Sequence, residues 1–361
     1  MIAPTKAGKT SLLSAIFQEI KDRLAGNQAG IQYNAADQAT KNAVDRALAE
    51  FNTCVAADVF GVPNLAGSQD VFKYEFAFSI PTEAGPQRIN INVMDYPGGL
   101  LGTPEFEDKV GLYLTESSVL LVPIPADILM EWKRTSGSGS KHNMDINISA
   151  QMMLDNSNVV SGIQDWLERR KKAGKKSLLI FTPIRCEAYF EDNGGLRDES
   201  KSLHEAVKAL YVDALTLSPE MKDLIQIETH AVDTYGIVEL RDISLITNET
   251  GEFLESKFRR RLREGKKIKP RGAFEIIATV IRFKLNEYAQ KLGMDRKSLE
   301  EVIKKRTFFN SFLKRLFGDP EKKLLAQYMS QNDAAFQAME IMSSLKNDYP
   351  ARQKVLNEIK W

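Results

Sequence analysis

The chain of 361 residues carries 49 Lys and Arg against 48 Asp and Glu, so its formal net charge of +1 excludes a global field that would draw it to nucleic acid or membrane. Hydrophobic residues at 43% and charged residues at 27% are typical of a globular protein with room for one large α/β domain and an appendage, or for two domains. Two distant cysteines, no signal core and no apolar run of about 18 residues argue against a disulfide framework, a zinc site and a membrane span, and we expect a cytoplasmic protein.

The first third of the chain predicts a loop, two helices and a strand pair. Residues 3–10 form a loop that contains glycine and lysine, and apolar side chains recur at helical spacing over 10–24 and 36–55. Residues 71–80 and 88–94 alternate between apolar and polar side chains and are joined by a short Gly/Pro turn. This pattern predicts an antiparallel hairpin.

The middle of the chain alternates helices with buried strands. Helical periodicity covers 106–114, 158–172 and 199–217. Short continuous apolar runs, typical of buried parallel strands, cover 118–124, 177–182 and 224–229. Strands that alternate with helices predict an α/β fold with a doubly wound, mostly parallel sheet, to which the predicted hairpin adds an antiparallel element.

The composition changes in the last third of the chain. Residues 257–271 contain nine Lys or Arg and one Glu. We predict an α/β domain over 1–255, a basic linker over 256–272 and a C-terminal helical region over 273–361. The charge of this stretch would suit binding to nucleic acid or to an anionic lipid surface. A solvated linker is favoured, because Phe258 is the one aromatic residue in the stretch and aromatic side chains would be needed to stack on bases.

The loop at 3–10 has the residues of a phosphate-binding loop. Such a loop needs backbone N–H groups aimed at anionic oxygens and the positive dipole end of a helix behind them. Gly8 permits the tight turn, Lys9 brings a cation to the β- and γ-phosphates, and the Thr10 hydroxyl suits a Mg²⁺ ligand, although Ala3 stands where the usual pattern has glycine. The predicted nucleotide-binding residues of this loop are Thr5, Lys6, Ala7, Gly8, Lys9, Thr10 and Ser11.

A second motif follows the predicted hairpin. Asp95 ends the strand at 88–94, where P-loop enzymes place an acidic residue that holds magnesium, usually through water. Gly98 completes an Asp-x-x-Gly pattern. Alone, this pattern would indicate an ordinary turn at the end of a strand, because Asp, Pro and Gly are turn formers. Its place after a phosphate loop, a helix and a hairpin favours a magnesium and γ-phosphate site.

The order of phosphate loop, helix, antiparallel strand pair and the Asp-Tyr-Pro-Gly-Gly motif at 95–99 resembles the TRAFAC-class P-loop GTPases. Residues 1–250 are particularly similar to bacterial double-GTPase domains. The resemblance implies a Ras-like P-loop NTPase fold that binds Mg²⁺ with GTP or GDP. It also implies catalytic roles for Lys9, Asp95 and Gly98, with the Gly98 N–H sensing the γ-phosphate.

The resemblance also implies a further metal ligand and a rate of hydrolysis. It places Ser68 in a mobile loop as a metal ligand beside Thr10 and Asp95, although a plain loop serine is an equal interpretation. Gly99 stands where relatives carry a glutamine or histidine that positions water. We therefore expect slow hydrolysis, or hydrolysis aided by a partner.

Base recognition is predicted from two degenerate motifs. The resemblance implies that the aliphatic part of the Arg185 side chain lies over the base, and that Glu187 accepts hydrogen bonds from the guanine ring N–H and amino group. Residues 229–232 resemble the loop that packs on the base in these GTPases, which implies that Ala231 contacts the base. Because these motifs are weak, an ATPase on the same fold stays open. A nucleotide-gated scaffold or adaptor with little hydrolysis also stays open, in which the C-terminal helices, with an apolar face at 308–317, would bind a protein partner.

One feature departs from the expected scaffold. A phosphate loop normally follows a buried central strand of about five residues, whereas only Met1 and Ile2 precede Ala3 here. We expect this first strand to be truncated, and the chain to have low stability and weak nucleotide affinity as a result. A longer form with apolar residues upstream should be more stable.

Overall fold

The computed structural model describes residues 1–4, 7–25, 29–53, 70–194, 198–216, 219–250, 252–263, 267–306 and 320–344. Within these ranges the helices are α1 (Lys9–Leu24), α2 (Gln38–Thr53), α3 (Pro104–Glu116), α4 (Ala126–Thr135), α5 (Lys141–Leu154), α6 (Asn156–Ala173), α7 (Ser200–Tyr211), α8 (Pro219–Leu224), α9 (Ala273–Arg306) and α10 (Pro320–Ser344). The strands are β1 (Gln32–Ala35), β2 (Phe72–Ile80), β3 (Gln87–Asp95), β4 (Val119–Pro125), β5 (Ser177–Ile184), β6 (Ile225–Thr229), β7 (Val238–Thr247) and β8 (Phe253–Leu262).

These strands form three sheets in a mixed α/β fold. The order β1-β2-β3 is antiparallel throughout, β4-β5-β6 is parallel throughout, and β7 and β8 form a hairpin. The predicted hairpin is β2 and β3, and the three predicted apolar runs are β4, β5 and β6. The described strands are less parallel than predicted, because β1, β7 and β8 add antiparallel pairings. Those segments are polar or charged and lack the apolar run by which the parallel strands were found.

The parallel strands send alternate side chains into two separate apolar cores, because successive side chains of a strand point to opposite faces. On β5, Leu178 and Ile180 join a core with α1 and α9, whereas Leu179 and Phe181 join a core with α3, α6 and α7. All eight residues of β5 are buried. Helices therefore cover both faces of the parallel sheet, as the doubly wound prediction requires.

Helix α1 lies on one of these faces and fixes the loop that precedes it. Its apolar residues recur at helical spacing and are buried, including Leu13, Phe17 and Ile20. The Phe17 ring lies 5.3 Å from that of Phe76 and 5.4 Å from that of Tyr74 on β2 (centroid distances). Packing against the hydrophobic face of the hairpin thus sets the position of the helix N-terminus.

Residues 1–2 lie between the antiparallel and the parallel sheet. The Met1 amino group donates to the Met94 carbonyl of β3 at 3.4 Å, and the Ile2 N–H donates to the Leu121 carbonyl of β4 at 2.9 Å. The loop that follows therefore lies near the carboxyl ends of both strands.

Residues 256–262 of the predicted basic linker lie in β8. Its arginines pair with carboxylates of neighbouring elements: Arg260 contacts Asp127 at 2.6 Å, and Arg261 contacts Glu239 of β7 at 2.7 Å. Acids on α4 and β7 thus neutralise a stretch whose charge alone suggested a solvated segment. The C-terminal region is helical as predicted over α9 and α10, and the apolar face at 308–317 lies outside the described residues. Among the helices that the structure describes, none has both the length and the apolar character of a membrane span.

Candidate functional site

The loop before α1 turns tightly through Gly8. Gly8 has φ 102°, a left-handed conformation that side-chain-bearing residues rarely adopt, and α1 begins at the next residue. A Cβ atom at Gly8 would lie 2.7 Å from Cδ1 of Ile184 at the end of β5. Both conformation and space therefore require glycine here. The predicted binding residues Thr5 and Lys6 lie outside the described residues, and the buried Ala7 donates its N–H to the Pro4 carbonyl at 3.3 Å.

The Lys9 ammonium points back into its own loop. Nζ donates to the carbonyls of Ala3 at 3.0 Å and Pro4 at 3.3 Å, and lies 5.5 Å from the centroid of the Tyr96 ring. Only 8% of Lys9 is exposed. Burial, opposed by the charge of Asp95, lowers the pKa of Lys9 to about 8. This lysine therefore holds a desolvated positive charge at the helix N-terminus.

The structure brings Asp95 to the same place. Asp95 is the last residue of β3 and is 1% exposed, and its charge raises the pKa of both Lys9 and the Met1 amino group against the effect of burial. Gly98 follows in a single 3₁₀ turn, where its carbonyl accepts the N–H of Leu101 at 3.2 Å. The two motifs singled out in the sequence thus meet at one edge of the sheets.

Two further loop residues lie in the first turn of α1, where the leading N–H groups of a helix have no intrahelical partner. Thr10 is half-buried. The buried Ser11 hydroxyl lies 2.8 Å from the hydroxyl of Tyr235, so the side chain of Ser11 is hydrogen-bonded within the protein. The Tyr235 ring in turn stacks on Phe51, with centroids 4.8 Å apart.

Arg185 lies beside the loop that precedes α1 and is held by a carboxylate. It adopts a left-handed conformation with φ 60° just after β5, and its Nη1 lies 3.6 Å from the position of a Cβ built on Gly8. Its Nε donates to Oδ1 of Asp127 at 3.0 Å, while Arg260 donates to the other oxygen at 2.6 Å. Burial would raise the pKa of Asp127, but the two guanidiniums outweigh it and lower this pKa to about 2.

One carboxylate oxygen of Glu187 is hydrogen-bonded to the protein backbone. Glu187 is fully buried, and its Oε1 accepts the N–H groups of Tyr235 at 2.9 Å and Gly236 at 3.0 Å. Burial, and then the charge of the neighbouring Asp233, raise the pKa of Glu187 above its ordinary value. These contacts of Oε1 fix the loop after β6, and the guanine-reading role of Glu187 stays a prediction.

Ala231 is buried at the start of that loop, between two residues whose N–H groups bond to β5. The structure thus brings together Gly8, Arg185 and the loop at 231–236, as base recognition would need. Ser68 lies outside the described residues. Within the described ranges, no three His, Cys, Asp or Glu side chains form a group that could hold a metal by themselves.

Sequence reasoning missed the role of Asp127, which ties Arg185 to β8. A signal existed for Asp127 itself, because it lies three residues after the apolar run at 118–124, and strand ends of parallel sheets carry functional side chains. Its partner Arg260 lies 133 residues further on, a separation that local patterns do not bridge.

Comparisons of the chain with protein-family models, with curated proteins and with solved structures found no match.

Proposed function

We propose that the chain binds a magnesium-bound nucleoside triphosphate at the loop before α1, with GTP as the leading ligand, and hydrolyses it slowly as a molecular switch. The observation that carries this proposal is the convergence of the Lys9 ammonium and the Asp95 carboxylate at a helix N-terminus behind the left-handed Gly8. A desolvated cation, N–H groups without an intrahelical partner and a helix dipole together suit a polyphosphate.

Binding would exchange the partners of Lys9. Its ammonium now donates to two loop carbonyls, and phosphate oxygens are stronger, charged acceptors for the same donor. The Thr10 hydroxyl and the Asp95 carboxylate are oxygen donors of the kind that magnesium prefers, and they fit it as a direct and a water-mediated ligand. The charge on the β- and γ-phosphates would be neutralised by that ion.

Two residues support the switch element of the proposal. Gly98 lies in a short 3₁₀ turn immediately after Asp95, so its N–H can respond to the γ-phosphate. Gly99 is exposed and has no side chain to position water, which supports slow turnover without a partner.

A second candidate is nucleotide binding with little preference between GTP and ATP. The contacts of Glu187 favour it, because one oxygen of the carboxylate that would accept from the guanine ring is already engaged by the N–H groups of Tyr235 and Gly236. Arg185 could still lie against either purine, since stacking does not depend on the base's hydrogen-bonding edge.

Competition binding followed by phosphate release separates these candidates. We expect fluorescent GTP to bind with Mg²⁺, to be displaced by GTP at least tenfold better than by ATP, and to be hydrolysed slowly. Equal displacement by ATP would favour the second candidate. Binding without phosphate release over hours would favour a nucleotide-gated scaffold. No binding of either nucleotide would refute the proposed function.

A further inference from the structure

The amino ends of the parallel strands form one edge of their sheet, and the candidate site lies at the other. Val119 of β4 pairs with Leu178 of β5, and Pro125 pairs with Ile184, so both strands start at the same edge. The loop before α1 lies against Ile184, at the carboxyl end of β5. A partner that binds at the amino edge would therefore leave the candidate site uncovered.

Hydrogen bonds join the segments that meet at this amino edge. The buried Arg170 of α6 donates to the Ser177 hydroxyl at 2.7 Å and to the Thr115 carbonyl of α3 at 2.8 Å. The Lys284 ammonium of α9 contacts the Ser118 hydroxyl, which lies just before β4. The ends of α3 and α6 and the middle of α9 thus contribute to one surface.

Four exposed lysines lie in this surface, at the end of α6 and in the turn that leads to β5: Lys171, Lys172, Lys175 and Lys176. In the part of the chain that the structure describes, the ammonium groups of Lys172, Lys175 and Lys176 have no hydrogen-bond or ion-pair partner. Three acids lie on the same segments, Glu116, Glu168 and Glu287, and Glu287 already pairs with Lys284 at 2.8 Å. The amino edge therefore has a local excess of positive charge, although the net charge of the chain is only +1.

The helix dipole explains only half of this cluster. Lysines in the last turn of a helix interact favourably with its negative end, and Lys171 and Lys172 occupy that turn of α6. Gly174, with φ 60°, ends the helix, and Lys175 and Lys176 lie beyond it. The second pair therefore adds charge to the surface without capping the helix.

The type of cation favours a diffuse anionic surface. The arginines of α6 are engaged within the protein, because Arg169 pairs with Asp165 at 3.0 Å and Arg170 is buried. A guanidinium suits bidentate binding of single phosphates, whereas the hydrated ammonium of lysine acts as a point charge. Exposed lysines alone therefore suit the summed potential of many anionic headgroups.

Exposed apolar side chains lie beside the lysines. Leu112 of α3 is 67% exposed, and Tyr113 and Tyr288 of α9 and α3 are also exposed at their ends nearest this edge. Tyrosine places an apolar ring and a polar hydroxyl at the boundary between headgroups and acyl chains. Leu112 would gain from entering that boundary, whereas a nucleic-acid backbone offers it no apolar contact.

We propose that this amino edge is a docking surface for an anionic lipid bilayer, with Lys171, Lys172, Lys175 and Lys176 at the level of the headgroups. The attraction acts within a Debye length, so it needs a local cluster and no net charge on the whole chain. Four lysines with a small apolar contribution give weak and reversible attachment. The loop before α1 then faces away from the lipid.

Sedimentation of the whole chain with lipid vesicles tests this surface. The vesicles are phosphatidylcholine alone or phosphatidylcholine mixed with phosphatidylserine. The test variant combines Lys172→Gln, Lys175→Gln and Lys176→Gln. The matched control removes the same charge from exposed lysines of the basic stretch, by combining Lys257→Gln, Lys267→Gln and Lys269→Gln.

We expect wild type and control to bind the phosphatidylserine vesicles with equal affinity and to leave phosphatidylcholine vesicles unbound. The test variant should lose at least tenfold in affinity. Binding of the wild type should disappear between about 0.1 M and about 1 M salt, because the Debye length falls from about 10 Å to about 3 Å. Since all six lysines are exposed, the three proteins should unfold at the same urea concentration.

Three outcomes overturn the proposal. One is a wild type that does not bind phosphatidylserine vesicles at low salt. Another is an equal loss of affinity in both variants, which would show that net charge and not the amino edge controls binding. The third is a wild type that binds an oligonucleotide but no vesicle and loses this binding in the test variant, which would assign the amino edge to nucleic acid.

Discussion

Replacing Gly8 by alanine should destabilise the chain through two separable effects. An alanine at φ 102° adopts a conformation that costs about 1–2 kcal/mol. Its Cβ would also lie 2.7 Å from Cδ1 of the fully buried Ile184, and such overpacking costs about 1–3 kcal/mol. We therefore expect Gly8→Ala to lower the free energy of unfolding by about 2–5 kcal/mol, and to weaken nucleotide binding because the loop must shift.

The chain offers a matched control at Gly85. Gly85 has φ 105°, nearly that of Gly8, but a Cβ there meets nothing within 4 Å. Gly85→Ala should show only the conformational effect, about 1–2 kcal/mol, and should leave nucleotide binding unchanged. Urea denaturation followed by tryptophan fluorescence gives the free energies, with the slope checked for each variant.

A double-mutant cycle isolates the contact with the end of β5. Ile184→Val removes Cδ1 and costs about 0.5–1.5 kcal/mol on its own. In the double variant, the valine makes room for the new Cβ, so we expect a favourable coupling of at least about 1 kcal/mol between the two substitutions. Equal destabilisation by Gly8→Ala and Gly85→Ala, together with no coupling to Ile184→Val, would refute this reasoning.

The remaining predictions concern three buried charged groups. Asp127→Asn leaves two arginines without their anionic partner and should lower the free energy of unfolding by about 3–5 kcal/mol. Asp242→Asn, which changes an exposed carboxylate of β7, should lower it by less than about 0.5 kcal/mol in the same denaturation assay. The folded-state pKa of Asp127 is depressed from 3.8 to about 2, so the stabilisation that its charge provides is present above pH 3.8 and is lost as pH falls toward 2. Asp127→Asn should lack this loss when its free energy of unfolding is measured against pH. The same loss in Asp127→Asn as in the wild type would contradict the assignment. Because the pKa of Glu187 is raised, the folded protein retains this proton above pH 4.5, and the free energy of unfolding of the wild type should fall as pH rises above 4.5. Glu187→Gln should show a smaller fall, because its amide oxygen can keep both N–H contacts without a proton that titrates. Nucleotide affinity should be constant below about pH 8 and should weaken above that pH, because Lys9 then loses its proton. Calorimetry at pH 7 and pH 9.5 measures this change. Equal affinity at the two pH values would contradict the assignment of Lys9 as the cation that binds phosphate.

The elements with strong local patterns could be predicted from the sequence. Period-two alternation, with Phe76 and Phe78 on one strand and Ile89 and Ile91 on the next, gave the hairpin of β2 and β3 within about two residues at each end. The continuous apolar runs of β4 and β5 likewise predicted buried parallel strands. These features depend only on neighbouring residues.

Features that depend on distant partners could not be predicted in the same way. The charge run at 257–262 forms a strand because carboxylates on other elements, including Glu239, neutralise its arginines. Glu187 turns inward because two backbone N–H groups from residues 235 and 236 need an acceptor. Neither partner is visible from the composition of the segment itself.

The candidate site could be predicted in part from the sequence. The order of the motifs was sufficient to expect Lys9 and Asp95 in one place, and the structure brings them together. The position of Asp127 near a strand end was visible in the sequence, but its pairing with Arg185 was not, because that depends on where α4 begins relative to β5. The identity of the ligand stays a prediction.

Calorimetric titration of Mg²⁺ and a slowly hydrolysed GTP analogue into three proteins tests whether the loop before α1 is a phosphate site. The proteins are the wild type, Lys9→Ala and Lys21→Ala, the last of which removes an exposed lysine from the same helix. We expect wild type and Lys21→Ala to bind with equal affinity, and Lys9→Ala to lose at least tenfold. Binding that survives Lys9→Ala unchanged, or that is missing from the folded wild type, would contradict the assignment of the loop.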